Sequence, residues 1–446
     1  MRGSITRCIA ASIVVSLAVG HSAGAQEPQP PTPTKPTPTA AASGGTSTAV
    51  HVDSTAASQA PPVGWRYAPD AGLVYERGDF RWTSWGFAER HWGVGGDANH
   101  TAFWRRVRQG MELDFPRLTT PLAGHAVRPV FVYEVDLTDN NIFRTGSKWK
   151  VWENLYLALQ DASDPSALRI VVGQNTHILA YEDNLSSGNL PTINRALVLE
   201  EHGSTNSFGT QWGVQVSKAL TRTLSLSLSA QDNRGSLNTE QPRYQIGNSL
   251  AAKLTAVVQN DTVGHRRLIA GTGVDHTRRI MDRSFTLASA ILSSPLGSTE
   301  ATGSKLTGEA FVVYTGALSV TGAHPYTLES EGLWSYYSAT GTSVRGGYLQ
   351  LQLSVFDATE TGDLDPFLRY DVVRLGRASV SADAAWQTAV RAGLNYNLPY
   401  TNKLANLHVE AAWNRVHGPA AIVPGVRGFR EVTVGLRLNA TRYVRH

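Results

Sequence analysis

Near the end of the chain, residues 390–398 read Val-Arg-Ala-Gly-Leu-Asn-Tyr-Asn-Leu, with an apolar side chain at every second position. Leu407–Trp413 and Glu431–Ala440 repeat the pattern after a short turn and a longer loop. Because strand side chains alternate between two faces, each segment has one apolar and one polar face. The polar faces carry Arg391, Asn395, His408, Glu410, Arg437 and Asn439. A soluble β-sandwich can also show this pattern, so the rest of the chain decides between the two.

The first residues are typical of a secretory signal peptide. Arg2 and Arg7 form a basic start before an apolar run from Ile9 to Gly20, and Ala-Gly-Ala at 23–25 is a small-residue cleavage sequence. The run is shorter than the ~20 apolar residues that a membrane-spanning helix needs. We therefore expect export and cleavage before residue 26. The only cysteine, Cys8, precedes the apolar run, which excludes a lipid anchor and leaves the mature chain without disulfides.

Residues 26–64 are rich in Pro, Thr, Ala and Ser, and we expect a disordered linker there. This segment suits either a spacer near the cell wall or an inert tether. Residues 65–446 form the predicted barrel domain, and candidate strands follow one another from Asp79 onwards. Before the three final segments they are Phe80–Trp92, Phe103–Phe115, Val127–Thr138, Val151–Gln160, Leu168–Gln174, Phe208–Ser217, Thr223–Asp232, Tyr244–Val258, Arg266–Asp275, Ser284–Leu292, Leu306–Leu318, Leu333–Ser338, Gly346–Phe356 and Phe367–Leu375.

These segments predict an all-β fold, a transmembrane antiparallel β-barrel. Leu224–Ser229 and Leu349–Val355 alternate most regularly, and a helix has no use for a period of two. There are about seventeen segments. Bacterial single-chain barrels have even strand numbers, so we expect 16 strands, with 18 as the alternative. Tryptophans near predicted strand ends suit the two membrane interfaces, although ordinary core packing would also explain them; they are Trp82, Trp92, Trp149, Trp152, Trp334 and Trp386.

Sequence signatures of enzymes are missing, so we expect no catalytic activity and no cofactor. There is no Gly-x-Ser-x-Gly, His-Glu-x-x-His, phosphate-binding glycine loop or dinucleotide fingerprint. The acidic turn at Asp357, Glu360, Asp363 and Asp365 does not have the spacing of an EF-hand, and no metal is expected. Removing the two arginines of the signal peptide reduces the formal charge from +4 to about +2. This small charge excludes a general attraction to nucleic acid.

The long connection after the fifth predicted strand is the candidate functional segment. Long insertions within a compact domain are usually functional, and a wide barrel needs a constriction to be selective. We expect this loop to fold into the pore and to place polar groups there, namely Glu182, Asp183, Ser186, Ser187 and Arg195. The alternative is a loop that packs on the outer rim.

Several stretches resemble the phosphate-selective porin O/P family of outer-membrane channels. They are the arginine-rich run Arg105–Leu113, the block Leu168–Gln174 with Glu182, Ser186, Ser187 and Arg195, and the late segments Phe367–Asp371 and Ala392–Asn397. The resemblance implies an outer-membrane homotrimer that passes small hydrophilic solutes by diffusion, with anions such as phosphate preferred.

Phosphate selectivity in that family depends on a ladder of basic residues along the pore. Candidates facing the lumen are Arg106, Arg169, Lys253, Arg369, Arg391 and Arg437. The expected loop carries four acids and only Arg195, which should repel phosphate. The ladder arginines could instead pair with Glu112, Glu134, Asp136, Asp371 and Glu410. Two other functions stay open: a plugged, non-conducting barrel that binds surfaces, and a lipid hydrolase, for which no Ser and His spacing is present.

Overall fold

The computed structural model describes residues 64–68, 72–95, 99–137, 152–185, 190–192, 196–199, 210–232, 248–261, 266–280, 284–287, 297–300, 303–318, 324–358, 362–377, 385–399, 404–418 and 428–439. The expected signal peptide, and the expected linker except for Gly64, lie outside these residues. Everything described belongs to one compact unit, Pro61–His446.

The secondary structure of this unit is almost entirely strand. The strands are β1 (Gly64–Ala68), β2 (Gly72–Arg77), β3 (Phe80–Gly95), β4 (Asn99–Asp114), β5 (Val127–Asp136), β6 (Trp152–Asp161), β7 (Leu168–Thr176), β8 (Thr210–Ala219), β9 (Leu224–Asp232), β10 (Ser249–Asp261), β11 (Arg266–Ile280), β12 (Ser284–Leu287), β13 (Gly297–Glu300), β14 (Gly303–Leu318), β15 (His324–Tyr337), β16 (Thr342–Leu353), β17 (Phe356–Ala358), β18 (Gly362–Arg377), β19 (Ala385–Asn397), β20 (Ala405–His417) and β21 (Gly428–Asn439). A single helical turn, α1 (Tyr181–Asn184), follows β7. Among the described residues, no helix is both long and apolar enough to cross a membrane.

Sixteen of these strands close into one antiparallel barrel. Each pairs with its neighbour along the chain, and the last strand returns to the first, with Glu431 to Asn439 of β21 opposite Gly95 to Phe87 of β3. Closure leaves no exposed edge between these strands. The β1–β2 hairpin extends the sheet beside the first residues of β3, and β17 pairs only with the start of β18. The predicted all-β fold with 16 strands is confirmed.

The barrel wall buries its polar face and exposes its apolar face. In β18, Leu368 and Tyr370 are 53% and 48% exposed, whereas the intervening Arg369 and the following Asp371 are 1% and 0% exposed. A soluble sheet shows the opposite arrangement, because water hydrates charged side chains and excludes apolar ones. The period-2 pattern read from the sequence is therefore present with its polar side turned inward.

Strand β9 shows how local sequence produces this wall. It begins Leu-Ser-Leu-Ser-Leu-Ser, so leucines occupy one face and serines the other. Leu228 is exposed on the outside, and on the inside the Ser227 hydroxyl lies 2.8 Å from that of Ser217 on β8. Small hydroxyl side chains hydrogen-bond across adjacent strands while filling little of the interior.

The four longest connections, 137–151, 177–209, 233–248 and 281–302, all join their strands at the same end of the barrel. We call this the long-loop end. The chain enters β3 and leaves β21 at the opposite end, the short-turn end, where 220–223 and 262–265 are among the connections. Unequal connections at the two ends are typical of outer-membrane barrels.

One predicted barrel strand was wrong, and another was predicted too short. Ser284–Leu292 was expected to be a barrel strand, but its first residues form β12, which pairs only with β13 in a hairpin between β11 and β14. An apolar stretch in a loop has the same local pattern as a strand, which is why it raised the predicted number of segments. The strand predicted from Leu333 begins nine residues earlier, at His324. The first half of this strand was not predicted because it contains Pro325, Glu329 and Glu331, which do not fit an apolar strand pattern. The two glutamates face the interior.

Candidate functional site

The described residues of the β7–β8 connection, 177–185, 190–192 and 196–199, lie inside the barrel and pack against the opposite wall. Its described apolar residues are buried together with wall residues of β15, β16, β18, β19, β20 and β21. On the loop these are Ile178, Leu179, Ala180, Ala196, Leu197, Val198 and Leu199; on those strands they are Leu333, Tyr337, Val344, Tyr348, Val373, Leu375, Ala385, Ala389, Val416 and Phe429. The loop covers this part of the apolar lining, so burial of the surface favours the docked loop.

Glu331 on β15 binds backbone amides at the start of the loop. Its two carboxylate oxygens accept hydrogen bonds from the amides of Tyr181 and Glu182, at 2.7 and 3.0 Å. Ala180, just before α1, has a φ of 63°, which is uncommon for a residue with a side chain. Two charge-assisted hydrogen bonds on the following residues support this turn.

Glu182 joins the two halves of the loop to β18. Its carboxylate accepts the amide of Ala196 at 2.7 Å and forms a bidentate ion pair with Arg369, one arm of which measures 3.1 Å. Arg369 also contacts Asp371 at 2.9 Å, and its guanidinium lies 3.9 Å from the centre of the Tyr348 ring. All of these groups are buried, so Arg369 anchors the loop to the wall.

Tyr181 is the aromatic contact of the loop. Its ring stacks on Phe311 of β14, with the ring centres 4.6 Å apart. Burial raises the pKa of the Tyr181 phenol above its usual range, and the nearby carboxylates of Glu329 and Glu331 act in the same direction. The phenol is therefore neutral at physiological pH.

The structure describes only part of the predicted constriction set. Glu182 lies in the interior as described above. The side chain of Asp183 lies outside the described residues, as do Ser186, Ser187 and Arg195.

The predicted basic residues all lie on the inner face of the wall, and most contact acidic groups. Lys253 is 2.9 Å from Glu309. Arg391 is 3.1 Å from Asp371 and 3.5 Å from Glu410. These contacts include Asp371 and Glu410, two partners proposed in the alternative to a free ladder.

The other predicted basic residues lie on the same inner face of the wall. Arg437 is 3.2 Å from Glu89. Arg169 donates to the hydroxyl of Tyr156 at 2.9 Å, and Arg106 is buried on β4. The predicted ladder is therefore largely a belt of ion pairs.

In a second cluster one arginine meets three carboxylates; sequence analysis named two of these, Glu134 and Asp136, as candidate partners but did not assign them to Arg108. Arg108 contacts Glu134 at 3.0 Å, Asp136 at 3.2 Å and Glu153 at 3.3 Å. The strand register shifts in β4 next to Arg105 and in β6 at Glu153, and such bulges change the face that a side chain occupies. The run Arg-Arg-Val-Arg at 105–108 was the local signal for the cation, and the third partner, Glu153, was not predicted.

Buried carboxylates outnumber buried Lys and Arg by more than two to one among the described residues. The cations are Arg106, Lys253, Lys305, Arg369, Arg391 and Arg437. The carboxylates are Glu89, Asp114, Glu134, Asp136, Asp161, Glu182, Asp232, Asp275, Glu309, Glu329, Glu331, Asp363, Asp371, Glu410 and Glu431. Within the same part of the chain, no group of three or more His, Cys, Asp or Glu side chains is placed to hold a metal ion.

None of the protein-family models matches this chain, and neither does any curated protein sequence. Solved structures are similar in fold. The outer-membrane channel DcaP of Acinetobacter baumannii is 14% identical, with 85% of this chain and 100% of that chain covered and a TM-score of 0.51. The anion-selective porin from Comamonas acidovorans is 13% identical, with 81% and 99% covered and a TM-score of 0.51.

The trimer form of OmpT, an outer membrane protein of Vibrio cholerae, is 10% identical, with 81% and 99% covered and a TM-score of 0.51. The chain has a porin-like barrel fold. These similarities support a porin-like barrel and do not support the phosphate-selective O/P family in particular. At such low identity they concern the fold alone, and function has to be argued from the residues of this chain.

Proposed function

We propose that this protein is an outer-membrane porin, exported by its N-terminal signal peptide, that lets small hydrophilic solutes diffuse through the barrel. The observation that carries the proposal is the inverted wall, with apolar side chains outside and charged side chains inside. An apolar surface of this extent is unusual on a soluble monomer and suits the hydrocarbon of a bilayer. Diffusion through a polar interior needs no catalytic group and no cofactor.

The β7–β8 loop is the proposed constriction. Burial of Glu182 inside the barrel supports this role, and Asp183, Ser186, Ser187 and Arg195 belong to the same loop in sequence. A homotrimer is the proposed assembly. It is supported by the resemblance to trimeric channels and by the similarity in fold to a protein solved in a trimer form.

The proposed selectivity is for cations, and it differs from the phosphate preference that the family resemblance implies. An anion path needs cationic groups whose charge is not already balanced. Arg369 and Arg391 each contact two carboxylates, and Arg108 contacts three. The excess of interior carboxylates therefore favours cations in the lumen.

Planar-bilayer recording under a salt gradient tests both the proposed conduction and the proposed cation selectivity. We expect discrete conductance steps and a reversal potential of the sign that cations produce. Steps with an anion-selective potential would keep the porin and reject the cation preference. Repeated absence of steps from folded, inserted protein would reject the porin.

The Glu153→Gln variant tests whether interior carboxylates set the ion selectivity. This carboxylate is partly exposed and lies 3.3 Å from Arg108, so its loss should shift the reversal potential toward anions. Lys218→Gln, on an exposed side chain at the short-turn end of β8, is the control that should leave the potential unchanged.

A plugged, non-conducting barrel is the second candidate, and one observation favours it. The apolar cluster between the β7–β8 loop and the wall fills part of the interior with side chains that exclude water. Under this alternative, deletion of loop residues 178–199 should create conductance steps that the intact protein lacks. Under the porin proposal, both proteins conduct and the deletion raises the size of each step.

A further inference from the structure

Five side chains form one continuous row across the outer face of the wall near the long-loop end. In register, Trp334 lies opposite Arg345, Arg345 opposite Arg374, Arg374 opposite Trp386, and Trp386 opposite His417. We call these residues the basic row. The rings of Trp386 and His417 are stacked, with their centres 4.2 Å apart.

The wall reverses its usual polarity at the basic row. The neighbouring inward residues are apolar and buried beneath the β7–β8 loop, among them Leu333, Val344 and Val373. The outward Arg345 and Arg374 are exposed. The row is thus a charged surface placed where the rest of the outer wall is apolar.

Arg345 and Arg374 are direct cross-strand partners of like charge. Side chains in such positions have Cβ atoms about 4.5–5.5 Å apart, and like charges there are destabilising. Neither arginine forms an ion pair with a described residue. The arrangement is stabilised if an anion binds between the two guanidinium groups, which suit the oxygens of a phosphate.

More cations of the same kind lie on neighbouring strands. Arg415 of β20 and Arg430 of β21 are exposed, and Arg90 of β3 lies over the ring of Trp104 at 5.3 Å. Each lies within five residues of the long-loop end of its strand. On the described outward faces of β15, β16, β18, β19, β20, β21, β3 and β4 there is no Asp or Glu.

We propose that the basic row binds the phosphate groups of an anionic lipid in the membrane leaflet on the long-loop side. This inference rests on the proposed membrane location. Below the row the wall is apolar, with Leu349 and Leu368 exposed, as expected for contact with hydrocarbon. Arginine is unfavourable within hydrocarbon and favourable at the head groups, where tryptophan is also enriched.

A second copy of the chain fits this surface less well than a lipid does. The described outward faces listed above carry arginines and no carboxylates, so they offer no partner for the charges of the row. A free phosphate ion would occupy the arginines but is too small to contact Trp334 and Trp386 as well. A phosphorylated lipid engages the cations with its head group and the tryptophans with its upper chains.

The test compares lipid binding by the intact protein and by Arg345→Gln/Arg374→Gln. The purified, delipidated protein in uncharged detergent is titrated with bisphosphorylated lipid A and with its dephosphorylated form, and bound lipid is measured by native mass spectrometry. We expect the double variant to bind the phosphorylated lipid about 10-fold more weakly or worse. We expect no change for the dephosphorylated form.

Lys218→Gln/Arg222→Gln is the matched control, since it removes two exposed cations at the short-turn end and should leave binding unchanged. Arg345→Lys/Arg374→Lys keeps the charge while removing the bidentate geometry, so it should bind the phosphorylated lipid with intermediate affinity. This variant still tests the proposal if the Gln variant fails to fold. Equal lipid affinity in the intact protein and the folded variants would overturn the proposal.

Two further outcomes would also overturn it. One is a change of oligomeric state in the variant with unchanged lipid binding, which would assign the row to a contact between copies. The other is displacement of the lipid by inorganic phosphate alone at equal concentration, which would assign the arginines to a free ion. The assay does not depend on conduction, so a non-conducting protein that binds the lipid would reject the porin and keep this inference.

Discussion

At the residue scale, Gly173 shows how closely β6 and β7 approach before the loop enters the barrel. Its φ is 137°, and a Cβ placed there would lie 2.4 Å from the carbonyl oxygen of Leu155 and 2.7 Å from the Cα of Tyr156. Backbone atoms of a paired strand cannot move aside without breaking the pairing. Only glycine fits this position without a shift of one strand.

Gly173→Ala should therefore lower the free energy of unfolding by about 1–3 kcal/mol, the usual effect of overpacking. Urea unfolding in detergent, followed by tryptophan fluorescence, measures it. Gly308→Ala is the control, because the nearest atom to its added Cβ is 4.0 Å away, on the ring of Trp334. Equal stability of the two variants would contradict the close approach.

The ion pair of Glu182 and Arg369 is the second feature at this scale. Removing one member of a buried pair leaves the other without compensation and typically costs about 3–5 kcal/mol. Glu182→Ala and Arg369→Ala should each destabilise the protein. The double variant should lose less than the sum of the two, because it leaves neither charge behind. Additive losses in the same urea measurement would show that the two groups are not coupled.

At the scale of elements, the β7–β8 loop depends on a wall strand distant in sequence. Glu331→Ala removes the acceptor for the amides of Tyr181 and Glu182, leaving the turn at Ala180 without that support. We expect the loop to undock while the strands stay paired. Limited proteolysis should then cut within 177–209 while the barrel remains folded by circular dichroism.

Glu329→Ala is the matched control for this prediction. Glu329 also lies on the inner face of β15, but its described hydrogen bond is with the hydroxyl of Tyr348 and not with the loop backbone. It should leave the loop protected. Equal cleavage of both variants would mean that loss of any carboxylate from β15 loosens the interior.

At the scale of the whole molecule, the inverted wall distinguishes a membrane barrel from a soluble one. Leu368→Arg places a charge on the outer face of β18, where the leucine is 53% exposed. In a bilayer an arginine at such a position costs about 2–4 kcal/mol near the midplane. Leu220→Arg, in the turn after β8, is equally exposed and should be nearly neutral. Refolding into lipid vesicles measures both, and a neutral effect of Leu368→Arg would contradict a membrane location for this wall.

The sequence by itself determined the all-β barrel, its strand number and the place of the long loop after the fifth strand. These features depend on alternation and on the spacing of breaks, which are local properties of the chain. It did not show that Ser284–Leu287 pairs in a separate hairpin and not in the wall, because an apolar stretch has the same local pattern in either place.

Only the tertiary structure decided which charges meet. Arg369 and Glu182 are 187 positions apart, and Arg437 and Glu89 are 348 apart. Such partners become neighbours only when the barrel closes and the loop crosses it, and bulges beside Arg105 and at Glu153 change which face a charge occupies. The basic row also depends on register, because a shift of one residue between β16 and β18 would separate Arg345 from Arg374.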